Sequence, residues 1–124
     1  MSCKVGVIGA GTVGGGVIEI LKKNSDVIAS RSATPIQLTH VAELNPECLK
    51  DYDLQGVTVS SDADALLNDP QVDVVCELIG GLEPAKTFIL KALQNKKHVV
   101  TANKMLLAMA GPELAATAEA NQVE

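Results

Sequence analysis

The sequence predicts an α/β domain, a doubly wound parallel sheet, on three observations. Its strand-like runs are short, β-branched and apolar without alternation, as in strands buried on both faces. Stretches of helical periodicity separate them, which gives βαβ units. A glycine cluster follows the first run at once. With 124 residues, 47% of them hydrophobic, the chain has the size of one domain covering residues 1–124.

Lys4 to Ile8 is the first strand. From Thr12 the apolar residues Val13, Val17, Ile20 and Leu21 recur at helical spacing, with Glu19, Lys22 and Lys23 opposite, which predicts an amphipathic helix facing the core and continuing to Ala29. Ser30 to Pro35 carries small and turn-forming residues and serves as a connection to a second strand, Ile36 to Ala42. Val57 to Val59 is a short third strand. Ser60-Ser61-Asp62 then offers N-cap side chains for a brief helix through Leu67, stopped by Asn68-Asp69-Pro70. Val72 to Ile79, the most apolar stretch, is a central strand with Gly80-Gly81 as its breaker. Pro84 sits where a helix's first turn tolerates it. That helix turns Phe88, Ile89, Ala92 and Leu93 inward and ends at Asn95-Lys96-Lys97, where cations suit the dipole. Val99-Val100 is a fifth strand. Met105 to Ala110 is helical, Gly111-Pro112 interrupts, and an alanine-rich helix runs to Asn121. Val123-Glu124 reads as the start of a sixth strand, so the fold is expected to be cut there, within a longer protein.

Composition excludes several classes of function. A net charge of -5 with scattered lysines and arginines argues against nucleic acid or an anionic membrane as partner. No apolar run approaches the roughly 18 residues of a membrane span, and the N-terminus enters a strand without a cleavage site, so a cytoplasmic protein is expected. Cys3, Cys48 and Cys76 are odd in number and lack a C-x-x-C pair, which suggests neither a disulfide framework nor a metal site. His40 and His98 stand at strand edges with no evident partner.

Gly9-Ala10-Gly11-Thr12-Val13-Gly14 is a G-x-G-x-x-G between first strand and first helix. Gly9 permits the tight turn, Gly11 lets a pyrophosphate approach the backbone, and Gly14 lets helix and strand pack closely. The free N–H groups of the helix N-terminus favour the anion. The fold class sharpens to Rossmann-type. Gly15 and Gly16 are extra, each costing about 0.5–1 kcal/mol against alanine inside a helix. The second strand of such a domain ends in an acid for the adenosine ribose, and Glu43 follows Val41-Ala42, 29 residues beyond Gly14 rather than the usual ~20. A carboxylate there accepts from the 2'-hydroxyl and repels a 2'-phosphate, favouring NAD over NADP. Asn45 is a competing contact, and a solvated glutamate is the bland alternative.

The stretches VGVIGAGTVGGGV (5–17), VDVVCELIGGLEPAK (72–86) and KKHVVTANKMLLA (96–108) resemble, in order, the N-terminal cofactor domain of homoserine dehydrogenase, over nearly the whole chain. The resemblance implies hydride exchange between a nicotinamide cofactor and L-homoserine or L-aspartate 4-semialdehyde. It also implies a catalytic and dimerisation region beyond residue 124, through which any homo-oligomer would form. Gly9, Gly11, Thr12, Val13 and Gly14 correspond to the dinucleotide loop, and Ile79, Gly80 and Gly81 should lie along the cofactor. Glu77 precedes them within an apolar strand, where a lone charge is expensive, and its task is open. Thr101-Ala102-Asn103-Lys104 matches the family's signature. Thr101 and Asn103 can orient the nicotinamide or the helix start, and the resemblance places Lys104 beside the reacting carbon as the catalytic residue. In the alternative, Asn103 caps the helix and Lys104 is a solvated first-turn residue. Other readings of the chain are the cofactor domain of another amino-acid dehydrogenase, such as aspartate dehydrogenase, and a stand-alone NAD-sensing module.

Overall fold

A computed structural model describes residues 2–24, 30–31 and 34–124. Five strands, β1 (Cys3–Ile8), β2 (Ile36–Ala42), β3 (Thr58–Ser60), β4 (Val74–Glu77) and β5 (His98–Thr101), pair in the order β3-β2-β1-β4-β5. Every pairing is parallel. The chain winds outward from β1 to β3, then crosses back to lay β4 on the other side of β1. That reversal opens a crevice at the carboxyl ends of β1 and β4.

Register makes the crevice edge straight. Ser60 pairs with Ala42, Ala42 with Ile8, Ile8 with Glu77, and Glu77 with Thr101, so the five strands end in one row. The residues that follow, among them Gly9, Glu43 and Ala102, therefore gather along one edge.

Helices α1 (Thr12–Lys23), α2 (Ala63–Leu67), α3 (Ala85–Gln94) and α4 (Lys104–Ala120) cover the sheet, with a 3-10 turn at Pro46–Leu49 that the sequence reading did not anticipate. Alternation along β1 explains the layering. Val5 and Val7 pack with Ile18, Leu38 and Val41, while Ile8 packs on the opposite face with Leu66, Leu67, Val75 and Ala92. Full burial of each such aliphatic side chain stabilises by about 1.5–3 kcal/mol. A third cluster joins α3 to α4 through Ala85, Ile89, Leu93, Leu106, Ala110 and Leu114.

Several expectations are corrected. Val13 and Ile20, expected inward, are 53% and 54% exposed, and the buried face of α1 is Gly14, Gly15 and Ile18. Glycines occupy the first turn because the Gly9 carbonyl and the Tyr52 hydroxyl come so close there, and Ile18 packs on the sheet one turn later. Gly111-Pro112 does not interrupt α4, which runs unbroken with Pro112 inside. Leu106, Ala110 and Leu114, spaced at four residues, hold both halves on α3 and override the proline. β4 is shorter than Val72 to Ile79, because Leu78 and Ile79 already turn into the crevice loop. Val123-Glu124 is not assigned as a strand, although Val99 N–H donates to the Glu124 carbonyl at 2.7 Å. The expected continuation of α1 to Ala29 and part of the connection after it lie outside the described residues.

The two histidines have partners. Buried His40 meets Asp69 at 2.8 Å through Nε2 and the Thr39 hydroxyl at 2.8 Å through Nδ1. His98 Nδ1 accepts from Glu124 N–H at 3.0 Å. Lys97, expected as a dipole-facing cation, is 3% exposed and donates to the carbonyls of Asp69 at 2.6 Å and Val72 at 2.8 Å. Burial pushes its ammonium below the usual lysine range, with Asp69 and Asp73 opposing. Among the described residues, no helix is long and apolar enough to cross a membrane.

Candidate functional site

The glycine turn is fixed by contacts a side chain would destroy. Gly9 has φ +96°, and a Cβ there would stand 2.6 Å from Ile79 Cγ2. At Gly14 a Cβ would stand 1.8 Å from the Gly9 carbonyl oxygen, far inside contact distance. At Gly11 it would meet nothing within 4 Å. Gly11 is also the N-cap of α1, with no side-chain cap and no acidic residue in the first turn. An uncapped 12-residue helix thus points its free N–H groups into open space, the arrangement that accepts a phosphate. Thr12 and Val13 are exposed beside it. Gly15, one of the extra glycines, admits the Tyr52 hydroxyl, which would lie 2.1 Å from a Cβ; Gly16 faces open space.

Glu43 stands at the end of β2, half-buried. Its Oε1 accepts from Ala10 N–H at 2.6 Å and its Oε2 from Asn45 N–H at 2.9 Å. The first bond locks the carboxylate onto the glycine turn. Each oxygen retains acceptor capacity for further donors. Asn45 is otherwise occupied, since its side chain caps the 3-10 turn by accepting from Glu47 N–H at 3.1 Å. A depression of about 360 Å³ opens here between Gly9, Glu43, Ser61, Ile79, Pro84 and Phe88.

Beyond Ile79 and Gly80 lies a second depression of about 340 Å³, lined by Gly11, Thr12, Val13, Ile79, Ala102 and Asn103, with Glu77 among the lining residues. The sequence left Glu77 without a task, and the structure supplies its partners. Fully buried, it accepts at Oε2 from Ile79 N–H at 3.0 Å and Gly80 N–H at 3.3 Å, and at Oε1 from the Thr101 hydroxyl at 2.7 Å. Thr101 Oγ1 in turn accepts from Asn103 N–H at 3.0 Å. Asn103 donates from Nδ2 to the Gly81 carbonyl at 2.5 Å and caps α4 by accepting from Leu106 N–H at 3.1 Å. Four residues thereby tie the loop after β4 to the loop after β5. Gly80 and Gly81 have φ of +79° and +74°, which suits a turn only glycine enters freely.

At the island 101–104 the structure contains the cap at Asn103, which does not choose between the two readings of Lys104. Lys104 is the first residue of α4 and exposed, and its ammonium has no hydrogen bond or ion pair among the described residues. The sequence-predicted residues therefore fall into two groups along one edge: Gly9, Gly11, Thr12, Val13, Gly14 and Glu43 at one side, and Thr101, Asn103 and Lys104 at the other. Ile79, Gly80 and Gly81 lie between them. The linking role of Glu77 went unseen in the sequence; the signal available was a charge inside an apolar strand.

Elsewhere the thiol of Cys76 is pushed up to about 11 by burial, with Cys3 adding to it, which marks a core group rather than a nucleophile. A larger depression, about 1170 Å³, opens at the opposite edge between Lys4, Asp73 and His98. Size does not select it, because open α/β sheets bind ligands at the carboxyl ends of their strands.

A family model described as homoserine dehydrogenase, NAD binding domain, matches residues 9–124. The homoserine dehydrogenase of Methylobacillus glycogenes is 47% identical over 104 residues, 84% of this chain and 25% of that protein. That of Bacillus subtilis is 40% identical over 118 residues, 95% of this chain and 27% of that protein. Among solved structures, a homoserine dehydrogenase from Thiobacillus denitrificans superposes with a TM-score of 0.89 at 40% identity, covering 99% of this chain and 28% of that one. The chain thus spans about a quarter of the length of these relatives.

Proposed function

The chain belongs to the family of homoserine dehydrogenase NAD-binding domains, and from that membership we propose that it is the cofactor-binding part of an enzyme that interconverts homoserine and aspartate semialdehyde. The observation that carries this reading is the edge described above, where a phosphate cradle, a ribose acceptor and a free lysine share one row of strand ends. The cradle fits a dinucleotide: Gly14 is closed to any side chain while Gly11 stands open above an uncapped helix. When bound, a nicotinamide cofactor supplies the hydride acceptor or donor.

The protein's own groups do the rest. The free N–H groups of Thr12 and Val13 hold the pyrophosphate, and Glu43 accepts from the adenosine ribose, so NAD is preferred to NADP. Ile79 to Gly81 form the floor, and Thr101 and Asn103 fix its far side. Lys104 holds the substrate's reacting oxygen. A hydroxyl that loses hydride must also lose its proton, and a cation or acid beside the forming oxyanion stabilises it. Among the described residues Lys104 has no partner, which leaves its ammonium available. Walls for the amino acid and the subunit contacts belong to a region outside residues 1–124, as the resemblance implies.

The test is Lys104→Ala in the full-length protein. Turnover should fall by roughly 10²- to 10⁴-fold, the span of a positioned acid or base, with cofactor affinity nearly intact. Near-normal turnover with a slightly lower melting temperature makes Lys104 a surface residue and the assignment wrong.

A further inference from the structure

Glu77 is the least economical residue of the crevice, and its charge needs a reason. It is 0% exposed, and among the described residues no lysine, arginine or histidine pairs with it. All of its partners are donors, two backbone N–H groups and the Thr101 hydroxyl, so the pocket is built for an ionised carboxylate. A buried carboxylate without a cation is costly, and an uncharged acceptor would satisfy the same N–H groups more cheaply. Among the described residues no cation answers that charge.

It is among the residues that line the second depression, which the reading above gives to the nicotinamide. The present inference rests on that reading. An oxidised nicotinamide ring carries a positive charge and a reduced one carries none, so a fixed anion beneath the ring acts on one form only. Glu43 is committed to the glycine turn at the other end of the edge. Lys104, the cation that follows Asn103 at the start of α4, is exposed, and water screens its charge. We propose that Glu77 is a positioning residue that holds the nicotinamide floor through Ile79, Gly80 and Thr101 and whose buried charge favours the oxidised cofactor over the reduced one.

Titration calorimetry on the full-length protein tests this with three ligands: ADP-ribose, which lacks the ring, NAD⁺ and NADH. In Glu77→Gln the affinity for NAD⁺ should fall by roughly ten- to a thousandfold relative to that for NADH, the range for loss of a unit charge about 4 Å away between a water-like and a partly polar surrounding. ADP-ribose should bind within about twofold of wild type, because its contacts lie at the glycine turn and Glu43. Glu77→Asp keeps the charge and shortens the reach, so both dinucleotides should weaken together and their ratio should stand. This second variant decides the matter if the glutamine protein does not fold. An unchanged ratio in Glu77→Gln, a uniform loss of all three ligands, or a ratio that moves in Glu77→Asp overturns the proposal. A wild-type protein that binds ADP-ribose but neither dinucleotide overturns the underlying reading of the second depression as well.

Discussion

At Glu43 one carboxylate does two jobs, bracing the glycine turn through Ala10 N–H and, on the proposed reading, accepting from the ribose. Replacing it by alanine should weaken NAD by roughly 1.5–3 kcal/mol, the value of a charge-assisted hydrogen bond, and should improve NADP relative to NAD. Calorimetry with both cofactors checks this, and an unchanged ratio moves the assignment elsewhere. Glu43 and the glycine turn were legible in the sequence because their requirement is local: a tight turn, a close approach, an acid after a strand. The bond from Thr101 to Glu77 was not, because it depends on the register of β4 against β5, which places residues far apart in the chain side by side. Cys76 shows a different consequence of burial. Its thiol loses its proton near 9 in the unfolded chain and near about 11 when folded. The folded state therefore holds the proton longer, so this contribution to stability is whole below pH 9 and is lost as the pH rises toward 11. Over that range wild type should lose roughly 2–3 kcal/mol more than Cys76→Ala, two pH units at about 1.4 kcal/mol each. Denaturant melts of both proteins at several alkaline pH values measure the difference, and parallel curves contradict it.

Helix α1 approaches the sheet along glycines, and its three consecutive ones should respond differently to alanine. Gly14→Ala drives a Cβ into the Gly9 carbonyl, so both stability and dinucleotide binding should be lost. Gly15→Ala meets the Tyr52 hydroxyl, which must move, giving an intermediate loss. Gly16→Ala meets open space and should gain up to about 1 kcal/mol from helix propensity. Thermal melts and cofactor titrations of the three rank them, and equal effects would refute the close-packing account. Helix α4 offers a converse case. Pro112 removes the N–H that would bond the Ala108 carbonyl, so Pro112→Ala should stabilise by about 1–3 kcal/mol if the helix is otherwise unstrained. A loss of stability instead means that a bend at Pro112 is required by the packing on α3. The existence and order of nearly all these elements were legible, since strand runs and helical spacings are local patterns. The inward face of α1 and the continuity of α4 were not, because each is decided by what packs against the helix.

At the scale of the molecule, the chemistry is gathered on one edge and only partly enclosed. The glycine turn, the loop after β4 and the loop after β5 form a continuous floor, knitted by Glu77, Thr101 and Asn103. Around Lys104 the surface is open and apolar: Val100, Met105, Leu107 and Met109 are 55%, 52%, 45% and 69% exposed. Exposed apolar patches of this kind mark surfaces used for contact. On the proposed reading the floor alone suffices to bind a dinucleotide, whose phosphates and ribose would meet groups already in place. Reaction is more demanding, because hydride transfer needs both reactants held about 3–3.5 Å apart in a water-excluding site. Among the described residues nothing encloses a second reactant over Lys104. Purified residues 1–124 should therefore bind NAD weakly in a calorimetric titration yet form no reduced cofactor when homoserine is added, whereas the full-length protein should do both. Homoserine-dependent formation of NADH by residues 1–124 alone would show that the amino acid is gripped by the floor itself, and the division between cofactor floor and substrate walls would have to be abandoned.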